Sequence, residues 1–208
     1  GINQAIQGRL IEVITGMPFE AYLRKVIFEP LGMKDTGFSM TAEQRSRFQP
    51  LWFNAGHLKG YTHLLDELSY SPKSRAHFGD GGLVCTMEDY ARFCEMLTDG
   101  GVFRGKRIIS QKSIDTMTAK WSAGFPEEPE SFPPIPGYIN GFSLFVLDDP
   151  SHHEPTVPKG IYGWVGYHNT HFWIDTKNRQ FGLFMSRARE FNWEIGVGLR
   201  KVLYGNNR

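Results

Sequence analysis

Apolar positions recur at helical spacing from Asn3 to Thr15, with Ile6, Leu10, Val13 and Ile14 on one side and Gly16 placed to end the run. Pro18 opens a second helical pattern, PFEAYLRKVIFEPLG, in which Phe19, Tyr22, Leu23, Val26 and Ile27 form one apolar face and Pro30 and Gly32 supply the stop. Asp35-Thr36-Gly37 reads as a turn. Residues 41–80 show no clear period, so short helices and a long loop are expected there. After Gly79-Asp80-Gly81-Gly82 the texture changes, and Leu83-Val84 reads as the start of a buried segment. Thr86 is placed to cap the helix MEDYARFCEMLTDGG, with Glu88 and Asp89 in the first turn, where the helix end is positive, and Gly100-Gly101 at its close.

The pattern shifts towards strands in the second half. Phe103–Ile109 reads as a short extended pair, and Ser110 caps a helix over QKSIDTMTA. Trp121–Gly137, with five prolines and a glutamate cluster, reads as a surface loop. Gly141–Leu147 (GFSLFVL) is a predicted strand; THFWID (Thr170–Asp175) and QFGLFMS (Gln180–Ser186) are two more, joined by the polar turn TKNR. Phe191–Tyr204 closes the pattern as a helix whose predicted inner face carries Ile195, Leu199, Val202 and Leu203. Helices first, then strands and a final helix, give an α+β class with an antiparallel sheet flanked by helices.

Composition narrows the function classes only a little. The 208 residues are 40% hydrophobic, 14% aromatic and 22% charged, with a net charge of +1, enough for a substantial core. Lys and Arg are interspersed with Asp and Glu, so neither nucleic acid nor a membrane surface is an expected partner. Cys85 and Cys94 lack metal-ligand spacing, and a buried thiol is the reading for Cys94. His152-His153-Glu154 invites a metal, but adjacent histidines in extended chain point apart and no third ligand is near, so a solvated loop is expected. No metal and no cofactor is expected. The cytoplasm is slightly preferred over the periplasm.

The sequence has no G-x-S-x-G, H-E-x-x-H, P-loop or G-x-G-x-x-G, and no serine is followed by lysine three residues on. A self-contained serine–lysine nucleophile is therefore absent.

Three runs nevertheless resemble one family. They are Gly8–Phe38 (GRLIEVITGMPFEAYLRKVIFEPLGMKDTGF), Gly79–Gly101 (GDGGLVCTMEDYARFCEMLTDGG) followed by Gly105–Thr118, and Tyr162–Ser186 (YGWVGYHNTHFWIDTKNRQFGLFMS). Their order and the long EPLGM-x-DTGF and GGL-x-x-T-x-x-DYARF patterns are similar to the β-lactamase-like serine hydrolases: class C β-lactamases, their esterase relatives and related acyltransferases. The resemblance implies a β-lactamase/transpeptidase-like fold. Residues 1–78 would be part of its helical subdomain, and residues 79–208 the later part of its α/β domain, with the terminal hairpin and helix. It also implies that the nucleophilic serine, its lysine and a box tyrosine lie on an N-terminal portion of the same protein, and that this portion is a partner of the chain. Apolar residues such as Phe172 and Phe184 are expected to be uncovered without it.

In the esterase branch the family's Lys-Thr-Gly-like triplet often becomes Trp-x-Gly, the form of Trp164-Val165-Gly166. The residue after the triplet supplies one backbone donor to the oxyanion of acyl transfer, which the resemblance places at the Tyr167 N–H; strand packing is the alternative reading. Trp164 is the expected pocket wall, and Trp164, Val165, Gly166 and His168 are the expected substrate-binding residues. Trp164 in place of lysine removes a cation for substrate carboxylates and so favours small or neutral esters. His168 either narrows the pocket or simply fills its loop. The reading is a serine hydrolase acting through an acyl-enzyme on a small-molecule ester or amide, most simply a carboxylesterase. The rivals are an acyltransferase that uses an alcohol acceptor and a non-catalytic binding module of the same fold.

Overall fold

Helix α1 spans Ile2–Thr15 in the computed structural model, which describes residues 2–63, 77, 79–121 and 136–205. The expectations for 64–76 and most of the proline-rich 121–137 loop lie outside the described residues. The chain divides into two compact units, Gly1–Phe93 and Cys94–Arg208.

In the first unit, Gly8 of α1 lies against the Phe19 ring, and Glu12 accepts the Phe19 N–H at 3.0 Å, fixing the corner between the first two helices. Helix α2 starts as Phe19–Leu23, widens into a π-turn over Arg24–Phe28 and finishes as Glu29–Leu31. Pro30 has no N–H to return to the preceding turn, a common setting for such irregular winding. Phe19, Phe28 and Leu31 are buried on it. Helix α1 forms where its period predicts, but Ile2, Ile6, Leu10, Val13 and Ile14 are exposed. Helix α3 (Ala42–Arg47) carries a capping box in which Thr41 and Gln44 bond each other's backbone N–H.

The expected long loop over 41–80 is partly regular. Strands β1 (Leu51–Ala55) and β2 (Leu58–Thr62) form a hairpin around a Gly56-His57 turn, and Trp52 pairs with Tyr61 in edge contact at 4.9 Å. Cross-strand aromatic contact of this kind stabilises an otherwise marginal two-stranded ribbon. Leu83-Val84 does not begin a buried strand: Leu83 is exposed, and Val84 makes a single antiparallel bridge to Gly37.

Helix α4 (Met87–Thr98) begins at Thr86, whose hydroxyl accepts the Asp89 N–H. Cys94 is fully buried and forms no disulfide among the described residues. In the second unit a short pair, β3 (Val102–Phe103) and β4 (Lys106–Arg107), precedes α5 (Gln111–Thr118), capped by Ser110 as expected. A five-stranded antiparallel sheet follows in the order β5 (Tyr138–Asn140), β6 (Phe145–Leu147), β7 (Tyr162–Gly166), β8 (Thr170–Asp175), β9 (Gln180–Phe184). The predicted strand at Gly141–Leu147 shortens to its last three residues. Its first half is instead the β5–β6 turn, with Gly141 N–H on Leu144 C=O and Ser143 in the left-handed region. The TKNR turn holds as predicted, because Asp175 accepts both the Asn178 N–H and its side-chain amide.

Helix α6 (Glu194–Gly205) buries Gly196, Val197, Arg200 and Tyr204, while Leu199, Val202 and Leu203 are exposed. This reverses the expected inner face. Two polar anchors decide the rotation. The Tyr204 hydroxyl donates to Asp175 on β8 at 2.9 Å, and Arg200 is 3% exposed and ion-paired to Glu154 at 2.8 Å. Glu154 is itself 1% exposed and accepts the Tyr138 hydroxyl, so it does not sit in a solvated loop, whereas His152 is exposed and His153 half-buried. Phe172, expected to be uncovered, is buried as well. Trp173 lies across Gly182 on β9, where any Cβ would meet the indole at 2.1 Å.

Candidate active site

The predicted site residues Trp164–His168 run from the end of β7 into its turn to β8. Gly166 pairs with Thr170 in register, which leaves Tyr167, His168 and Asn169 as a three-residue loop. Asn169 adopts φ +60° and donates its N–H to the Gly166 carbonyl at 3.0 Å. Left-handed geometry at the last loop position is the usual closure of such hairpins, and asparagine is among the residues that accept it. A Cβ on Gly166 would stand 2.2 Å from Thr170 Oγ1, so a side chain there would force the Thr170 hydroxyl to move.

Trp164 is half-buried on β7, paired with Phe172, and its ring stacks 6.4 Å from Phe145. Val165 is buried and pairs with His171. It lines a cavity of about 10 Å³, room for a single water, shared with Tyr138, Phe145, His171, Trp193 and Arg200. Tyr167 is exposed, with the Arg189 guanidinium 4.7 Å over its ring. Among the described residues no acceptor takes the Tyr167 N–H. His168 is half-buried, and its carbonyl accepts from the Ser186 hydroxyl at 2.8 Å and the Ala188 N–H at 3.2 Å. A larger cleft, about 720 Å³, opens at the opposite end of β7 beside Tyr162 and contains none of Trp164–His168.

Below the turn, His171 is buried and stacked on Phe191, and its Nε2 has no hydrogen-bond partner among the described residues. Burial, reinforced by Arg200, pulls its pKa down to about 4, so the ring is neutral at pH 7. Among the described residues no three His, Cys, Asp or Glu side chains gather as a metal site. No helix among them is long and apolar enough to cross a membrane.

The chain matches the Beta-lactamase family over residues 2–200. It belongs to that family. An uncharacterized protein of Mycobacterium tuberculosis is 26% identical over 176 residues, 82% of this chain and 43% of its own length. Penicillin-binding protein 4 of Amycolatopsis lactamdurans is 33% identical over 115 residues, 54% of this chain and 29% of its length. Simvastatin synthase (LovD) from Aspergillus terreus has a similar structure at a TM-score of 0.78 and 18% identity, covering 97% of this chain and 54% of that one. EstCE1, a hydrolase with promiscuous acyltransferase activity, superimposes at 0.77 with 18% identity, over 95% and 54%. The fold is thus β-lactamase/transpeptidase-like, and the chain spans about half the length of the relatives it matches.

In this β-lactamase-family chain two residues that brace the turn, Asn169 and Ser186, were not singled out from the sequence. Asn169, Ser186 and the 188–192 segment form one hydrogen-bonded cluster with it. The only local signal was an asparagine at the end of a short loop. Its partners lie about twenty residues away, and no spacing rule reaches them.

Proposed function

We propose that the chain is the oxyanion-bearing part of a serine hydrolase that works through an acyl-enzyme on small or neutral esters. The observation that carries this reading is the Tyr167 N–H directly after Trp164-Val165-Gly166, which no acceptor among the described residues takes. A serine oxygen attacks the ester carbonyl, and negative charge collects on the carbonyl oxygen. The Tyr167 N–H meets that charge at a fixed place, which lowers the barrier because the dipole is already oriented. Loss of the alcohol leaves the acyl-enzyme, and water then releases the acid. Trp164, where a lysine would offer a cation, supports an uncharged acyl group.

Serine, lysine and box tyrosine would come from another portion of the same protein. Two exposed apolar rows support an association with it: Ile2, Ile6, Leu10, Val13 and Ile14 on α1, and Leu199, Val202 and Leu203 on α6. Rows of this length on water-facing helices mark surfaces that bury against protein. A second reading, acyl transfer to an alcohol, is supported by the promiscuous acyltransferase activity of EstCE1. Water and alcohol attack the same acyl-enzyme, so the two readings differ only in the acceptor.

Intact mass spectrometry after treatment with a fluorophosphonate tests the proposal. A labelled serine on a polypeptide associated with this chain, together with turnover of short p-nitrophenyl esters, is the expected result. An ester product on adding an alcohol selects acyl transfer. No label and no turnover from the complete protein overturns both and leaves a binding module.

A further inference from the structure

We propose that Asn169 is a positioning residue that aims the Tyr167 amide, by tying the β7–β8 turn to the segment 186–192. This rests on the reading of Tyr167 as an oxyanion donor. Asn169 is 4% exposed, and its side-chain hydrogen-bonding groups are engaged on both sides. Nδ2 donates to the Ala188 and Glu190 carbonyls, each at 3.1 Å, and Oδ1 accepts the Asn192 N–H at 2.7 Å. Ser186 adds a second tie, its hydroxyl lying 2.8 Å from the His168 carbonyl and 3.2 Å from that of Asn169.

The distribution of these bonds is selective. The His168 carbonyl and the Asn169 N–H, carbonyl and side chain are all engaged, while the Tyr167 N–H one residue earlier has no acceptor among the described residues. The same clamp fixes Arg189 from both sides through the Ala188 and Glu190 carbonyls, and Arg189 covers the Tyr167 ring. Tyr167 is therefore held by its backbone through Asn169 and by its ring through Arg189. A loop tip is ordinarily mobile, whereas an oxyanion donor works only when its direction is set before charge develops.

Asn169→Gly removes the clamp and keeps the φ +60° backbone accessible. Asn169→Asp keeps the size and the acceptor but turns a donor into an acceptor facing two carbonyls. In the 208-residue chain, hydrogen exchange over Gly166–Thr170 is expected to rise about tenfold in both variants, with the β8–β9 turn unchanged. In the complete hydrolase, ester kcat is expected to fall about 10–100-fold with KM within about twofold, and affinity for a boronic acid that mimics the tetrahedral anion is expected to fall in parallel. A purely structural role would not single out the anion mimic. Unchanged exchange at Gly166–Thr170 overturns the proposal whatever the activity. Unchanged kcat and boronate affinity in an active enzyme overturn it too. Wild-type protein without ester turnover, but with the exchange effect intact, removes the hydrolase reading and leaves the clamp standing.

Discussion

The Thr36 hydroxyl donates to the buried carboxylate of Asp89 at 2.9 Å, across 53 residues of chain. The same Oδ2 accepts the Asp35 N–H at 2.7 Å, Oδ1 accepts from Arg92 at 2.9 Å, and Arg92 also donates to the Gly32 carbonyl. The two most specific sequence runs, EPLGM-x-DTGF and GGL-x-x-T-x-x-DYARF, are thus the two halves of one joint, closed by the Gly37–Val84 bridge.

Asp89→Ala is expected to destabilise the chain by about 2–3 kcal/mol, because it takes the acceptor from the Asp35 N–H and the Thr36 hydroxyl together, while Arg92 keeps Glu88 and the Gly32 carbonyl. Thr36→Val removes one donor and costs about 1 kcal/mol. The double variant Thr36→Val/Asp89→Ala should lose less than the sum, since both changes break the same bond. Urea unfolding of the four proteins measures all three quantities. Additive losses would mean that the hydroxyl and carboxylate are not coupled.

This joint was legible as motif before it was legible as contact, because Asp-Thr-Gly and a capped helix each carry a local signal. The terminal hairpin was legible for the same reason: alternating aromatic runs around a polar turn specify strands by themselves. What failed was the side of a helix that faces the core. On α6 the apolar Leu199, Val202 and Leu203 read as the inner face, yet Arg200 and Tyr204 occupy it, because Glu154 and Asp175 wait there with carboxylates. Periodicity counts apolar side chains and is blind to a buried ion pair whose other half lies 46 residues back. Asn169 was opaque in the same way. Its residue type suggested a turn, and only the fold brought Ala188, Glu190 and Asn192 to it.

The Arg200–Glu154 pair has a measurable signature. Arg200 reaches Glu154 through Nε at 2.8 Å and Nη2 at 3.1 Å, with both side chains buried. Arg200→Met leaves Glu154 charged and buried, and is expected to cost about 3–5 kcal/mol. Arg200→Met/Glu154→Leu removes the stranded charge, so it should recover most of that loss. Thermal unfolding of the single and double variants checks this. A double variant less stable than Arg200→Met would refute the stranded-charge account.

Gly166 offers a test of the turn that needs no activity. Gly166→Ala puts a methyl 2.2 Å from Thr170 Oγ1 but 3.5 Å from Thr170 Cβ. The clash therefore disappears once the hydroxyl is gone. Gly166→Ala is expected to cost about 1–2 kcal/mol, and Thr170→Ala in the same chain should relieve about 1 kcal/mol of it. Chemical unfolding of the cycle gives the coupling, and a coupling near zero would place the cost of the alanine elsewhere.

Acid stability should depend on His171. The unfolded chain takes up a proton at this residue near pH 6.5, whereas in the folded protein burial and Arg200 hold it off until about pH 4. The unfolded state thus binds more protons between those limits, so this contribution to stability is present above pH 6.5 and is lost as pH falls towards 4. The depressed pKa corresponds to at most about 3 kcal/mol over that window. His171→Phe keeps a flat ring against Phe191 and removes the titration. Urea unfolding between pH 7 and 4 should therefore show a shallower loss of stability in His171→Phe than in the parent. Carboxylates that titrate near pH 4 act in both proteins and cancel in the comparison. Equal slopes in the two proteins would mean that the folded state finds a partner for the His171 proton, although Nε2 has none among the described residues.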